Sequence, residues 1–139
     1  MTKIFLSLFF LLTALASRAQ LKKDSTSAGN PVFKGWYADP EGAIFENEYW
    51  IYPTFSAPYD QQVYFDAFSS PDLVNWTKHS HITDTARIKW AKRAMWAPAI
   101  VEKGGKYFFF FGANDIQSDR ERGGIGVAVA DNPAEEREE

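Results

Sequence analysis

Asp39 is the residue of this chain whose type and setting best suit chemistry. It lies in Gly35-Trp36-Tyr37-Ala38-Asp39-Pro40-Glu41, just ahead of a strand pattern. An ionised carboxylate can take a proton from water and act as a general base. Pro40 fixes the backbone beside it and disfavours helix at Asp39 itself. Asp-Pro also opens turns, so residue type alone leaves a plain turn as the alternative. Glu41, two residues on, either raises the proton affinity of Asp39 or caps that turn.

Rings surround this segment. Trp36 and Tyr37 precede Asp39, and Trp96 opens a second segment, Trp96-Ala97-Pro98. Each could stack on a flat apolar ligand face or pack between layers, as aromatic side chains do in ordinary cores. Asn114-Asp115 follows an aromatic run. The pair could bond ligand hydroxyls, or fold back on its own backbone as an Asx turn. His79 and His81 would share one face of a regular strand, since side chains alternate. No third ligand stands near them at useful spacing, so an exposed edge strand is expected and no metal site. Gly123-Gly124-Ile125-Gly126 precedes a strand pattern, not a helix, and so does not read as a phosphate loop. The basic stretch Arg87 to Arg93, with Trp90 inside it, reads as a loop.

The elements that must position these residues are strands. Short apolar and aromatic runs alternate with turn residues at Ala43–Phe45, Tyr49–Phe55, Gln62–Ser69, Trp76–Thr83, Ala99–Glu102, Lys106–Gly112 and Gly124–Ala130. No convincing helical period occurs after the N-terminal segment. An aromatic content of 17% agrees with a β-rich fold, because strands favour these residues. The pattern then repeats. Tyr37-Ala38-Asp39-Pro40 returns about 59 positions later as Trp96-Ala97-Pro98, and Tyr49-Trp50-Ile51-Tyr52 returns as Tyr107-Phe108-Phe109-Phe110. Third strands end at Ser70-Pro71 and Asn132-Pro133. Units of three or four short strands at this period look like propeller blades, which typically close in rings of four to eight. One full unit (about 37–83) and most of a second (about 96–139) are present, so an incomplete propeller is expected. The repeat places Tyr37 and Trp96 at matching blade entrances, both facing a central funnel.

Composition limits the rest. Met1–Ala19 has a positive start at Lys3, an apolar run from Ile4 to Leu15 and small residues near Ala19, as a cleaved export leader does. The run is shorter than the ~20 residues a membrane helix needs. Gln20–Asn30 is polar and reads as a flexible mature N-terminus. Loss of the leader removes Lys3 and Arg18 and no acid, taking the formal charge two units below −3. An acidic exported chain offers no electrostatic case for nucleic acid. The absence of cysteine excludes disulfides and thiolate metal sites. The tail Ala134–Glu139 is a charge run.

Taken together, Gly35–Glu41, Trp96-Ala97-Pro98 and Gly124-Ile125-Gly126-Val127-Ala128-Val129-Ala130 resemble the N-terminal part of glycoside hydrolase family 43. The resemblance covers roughly Asn30 to Pro133. It implies a five-bladed, all-β propeller, here about two blades, acting on plant-type polysaccharides or oligosaccharides as an arabinofuranosidase or β-xylosidase. It also implies an inverting mechanism, in which a base and an acid ~6.5–9.5 Å apart flank the scissile bond. Asp39 matches the family's general base. The glutamate acid and a second, pKa-tuning aspartate belong to later blades and match nothing here, so the chain alone is expected to be inactive. Trp96, Tyr37 and Trp36 become candidate sugar-stacking rings, and Asn114 and Asp115 candidate partners of sugar hydroxyls. Many members carry an acid after the second proline, where this chain has Ala99. Some relatives hold calcium at the propeller centre; no residue here is assigned to it, and no cofactor is expected. A non-catalytic carbohydrate-binding propeller is the alternative. Invertase-type propellers are disfavoured, because they usually show Asn-Asp-Pro-Asn.

Overall fold

The computed structural model describes residues 27–114 and 121–134. The expected leader, most of the polar N-terminus, Asp115 and the charged tail beyond Ala134 lie outside the described residues. Among the described residues, seven antiparallel strands form two sheets. The first contains β1 (Tyr37–Phe45), β2 (Glu48–Phe55), β3 (Tyr64–Ser70) and β4 (Thr77–Asp84), in that spatial order. The second contains β5 (Trp96–Lys103), β6 (Lys106–Ala113) and β7 (Gly124–Ala130).

Tight hairpins set the registers. The β1–β2 turn places Glu46 and Asn47 at φ 52° and 64°, and the β5–β6 turn places Gly104 and Gly105 at φ 64° and 75°. Two successive positive φ values match the twist of antiparallel strands, and asparagine and glycine favour them. After β3, the Asp72 carboxylate accepts the amides of Val74 and Asn75, the Asn75 side-chain amide and the Ser70 hydroxyl. These donors, the Asn75 backbone amide foremost, hold its pKa down at about 2.

Two strands start earlier than the sequence pattern indicates. β1 begins at Tyr37, not Ala43, and β5 at Trp96, not Ala99. Both run through a proline, Pro40 and Pro98. Each is the outer strand of its sheet, where a missing N–H breaks no ladder bond. Each also has an irregularity at the proline, between Ala38 and Glu41 in β1 and between Trp96 and Ala99 in β5. Asp39 and Ala97 sit within these bulges at φ 46° and 48°.

These pairings correct the repeat register. Glu41 opposes Tyr52 as Ala99 opposes Phe110, and Ala38 opposes Thr54 as Trp96 opposes Gly112. One offset of 58 positions carries each pair from Ala38↔Thr54 to Phe45↔Glu48 into its counterpart in the second sheet. The counterpart of Asp39 is therefore Ala97, and that of Trp96 is Ala38, not Tyr37. A shift of one residue moves a strand side chain to the opposite face, so the expected equivalence of Tyr37 and Trp96 does not hold.

The core lies between the sheets. Tyr52 and Phe65 from the first sheet meet Phe109 and Phe111 from the second, with Ile82, Ile88 and Met95 fully buried around them. The Tyr52 hydroxyl donates to the Pro133 carbonyl at 3.0 Å. The Arg87–Arg93 segment contributes Ile88 and Ala91 to this core and lays Trp90 parallel to Phe111. Gly126 makes room for that indole, since a Cβ there would lie 2.6 Å from Trp90 and 3.0 Å from Phe111. Phe109 and Phe111 thus seal the inter-sheet core, whereas Phe110 on the opposite face is exposed. That outer face also presents Val101, Ile125, Val127 and Val129.

Candidate active site

Asp39 is exposed on the surface, lifted from the sheet by the β1 bulge. Bulges re-aim side chains in this way, and aspartate tolerates the left-handed backbone better than most residues. One oxygen, Oδ2, accepts the Thr54 hydroxyl at 3.2 Å. The same hydroxyl oxygen accepts the Ala97 amide at 2.8 Å. Thr54 therefore bridges the two counterpart bulges while itself only 3% exposed. Its signal in the sequence was a lone polar residue on the inward face of the aromatic strand Tyr49–Phe55, and it was missed.

The rings divide. Trp96 lies across Gly112, where an added Cβ would be 2.8 Å from the indole Nε1; it stays 38% exposed on the outer face of the second sheet. Trp36 is 80% exposed, and its carbonyl accepts the Ser56 amide. Tyr37 packs edge-on against Phe33, Phe55 and Phe68 on the face of the first sheet away from the core. Its hydroxyl donates to Asp66 Oδ2 at 2.8 Å, and burial and the Asp66 carboxylate raise its pKa. Asp66 is fully buried and also accepts Lys78 Nζ at 2.8 Å and the His81 amide at 3.0 Å.

Asn114 does not offer a free amide to a ligand. It is 2% exposed, its Nδ2 donates to the Trp90 and Arg122 carbonyls, and its Oδ1 accepts the Lys92 amide. Both amide hydrogens are committed to tying two loops together, and the residue sits at φ 64°. Asp115 lies outside the described residues. Glu41 opposes Tyr52 in the ladder beyond the bulge.

The histidines take opposite faces, contrary to simple alternation. His79 stacks on Trp50 and bonds Ser69, on the core side. His81 stacks on Tyr64, on the Tyr37 side, beyond an irregularity in the β3–β4 pairing and at φ 54°. Burial lowers the His79 pKa, partly opposed by Glu48. Among the described residues no three His, Cys, Asp or Glu side chains converge as a metal cage.

Two antiparallel sheets pack face to face, with a solvent-facing carboxylate on an outer bulge, in an all-β arrangement. Comparison with known proteins identifies the family. The model of the glycosyl hydrolases family 43 matches residues 28–136. A β-D-galactofuranosidase of Aspergillus niger is 47% identical over 116 residues, spanning 76% of this chain and 32% of the relative. A xylosidase/arabinosidase of Bacteroides ovatus is 34% identical over 110 residues, spanning 70% and 33%. The crystal structure of a family 43 β-xylosidase/α-arabinofuranosidase from a compost microbial metagenome, in complex with xylotriose, superposes with a TM-score of 0.63 at 29% identity, covering 74% of this chain and 34% of that one. The chain belongs to glycosyl hydrolase family 43. It spans about a third of the length of these relatives.

Proposed function

We propose that this chain provides the general-base portion of an exported, inverting, exo-acting glycosidase of the arabinofuranosidase or β-xylosidase type. The observation that carries this reading is Asp39, exposed on a bulged outer strand, with one oxygen held by a buried hydroxyl. Asp39 would take a proton from the attacking water while an acid protonates the leaving oxygen. That acid and the pKa-tuning aspartate would belong to sequence corresponding to the remaining two thirds of the relatives. The two sheets would be the first two blades of a five-bladed ring. Trp96, exposed on the next-blade side, would form a wall of the sugar pocket. Export follows from the character of Met1–Ala19, and an excess of acidic groups argues against nucleic acid as a partner.

The test is Asp39→Asn in the chain completed with its remaining blades. Aryl arabinofuranoside and xyloside are the substrates, joined by aryl galactofuranoside because the 47% identical relative is a galactofuranosidase. Loss of a general base is expected to lower kcat at least ~10²-fold. Retention of wild-type kcat would point to a different base, whereas sugar binding without turnover by the unsubstituted chain would favour the carbohydrate-binding alternative.

A further inference from the structure

We propose that Thr54 is the positioning residue of the catalytic carboxylate, and that the second sheet, through the Ala97 amide, sets its aim. This rests on Asp39 being the base. A threonine hydroxyl has one hydrogen and two lone pairs. The Ala97 N–H fills one lone pair at 2.8 Å, and Asp39 Oδ2 lies 3.2 Å away. An amide can only donate, and an ionised carboxylate can only accept. The polarity is therefore fixed: Ala97 N–H donates to Thr54, and Thr54 O–H donates to Asp39.

Three features make this more than an incidental contact. Thr54 is 3% exposed, so water competes little for its hydroxyl. Its β-branched side chain is stiff about χ1, and the backbone beneath it pairs directly with Ala38, the residue before the base. Ala97 reaches it from the counterpart bulge, at φ 48° beside the φ 46° of Asp39. One bulge presents the carboxylate, and the other supplies the donor that orients the hydroxyl holding it. Oδ2 is occupied, which leaves the second carboxylate oxygen to meet the water.

The experiment compares Thr54→Val, Thr54→Ala and Thr54→Ser in the completed enzyme, made with its own downstream blades or those of the Aspergillus niger relative. Valine keeps the shape and removes the hydroxyl. The expected result is kcat on an aryl furanoside or xyloside lowered ~10-fold, the scale of one lost bond to a charged group. KM should stay within about twofold, and serine should restore most of kcat. Wild-type kcat in Thr54→Val, or a serine variant as impaired as valine, overturns the proposal. Should Thr54→Val fail to fold, the same split is read between alanine and serine. Asp39→Asn, run in parallel, separates the two ideas. If it keeps wild-type kcat, the base assignment fails. If it is inactive while Thr54→Val and Thr54→Ala are not impaired, only the Thr54 proposal fails.

Discussion

Asp39 and Ala97 occupy the same bulge in two sheets, and both adopt a left-handed backbone. An L-residue there is disfavoured by roughly 1–2 kcal/mol, yet the bulge forms with either side chain. The conformation therefore belongs to the strand repeat, and the carboxylate has been placed on a ready-made projection. Strain of this kind clusters at functional sites. Asp72 shows the opposite use of a carboxylate, wholly local. Its folded pKa of about 2 lies below the ordinary 3.8, so the unfolded chain binds the proton first as pH falls. Its stabilising contribution is complete above the ordinary value and disappears as pH drops through about 2. Two-dimensional NMR should find this carboxyl titrating well below the ordinary aspartate value. Asp72→Ala should speed amide exchange at Val74 and Asn75 specifically.

At the scale of elements, the sequence located every described strand but shortened the two that run through Pro40 and Pro98. Proline suggests a break, and only sheet order shows that these are outer strands where it breaks nothing. The same limit governs the histidines. Alternation predicts a shared face, whereas the irregular β3–β4 pairing, fixed by Asp66 on the His81 amide, turns them apart. Gly126 sits in a run that could be mistaken for a flexible loop. Its absent side chain is a packing requirement of Trp90 and Phe111. Gly126→Ala should therefore overpack this contact at a cost of about 1–3 kcal/mol, seen as a lower Tm. Gly105→Ala is the control: it has open space around it but a left-handed backbone.

At the scale of the molecule, the two sheets share one apolar interface, and the second sheet leaves its outer face bare. The outer face of the second sheet exposes Val101, Phe110, Ile125, Val127 and Val129, with Trp96 beside them. Contiguous apolar surface of this kind promotes association, as do unpaired outer strands. The isolated product of residues 20–139 is expected to self-associate at micromolar concentration and to show no turnover of aryl furanosides or xylosides. Light scattering and a chromogenic assay check the two points. A monodisperse monomer would show that these faces are not blade interfaces, and turnover would show that the acid lies within these residues.

The sequence by itself determined the strands, the turns and the repeat. These follow from short-range chemistry: alternation, turn preferences, and the spacing of aromatic runs. The tertiary structure decided what needed partners distant in sequence. It set the repeat register, because bulges shift pairing by steps that residue types do not announce. It placed Tyr37 against Asp66 and enclosed Asn114 among backbone groups of two loops. It also brought Thr54 between Asp39 and Ala97, a contact that spans 15 residues in one direction and 43 in the other. No local pattern encodes such a contact, because it exists only when two sheets pack face to face.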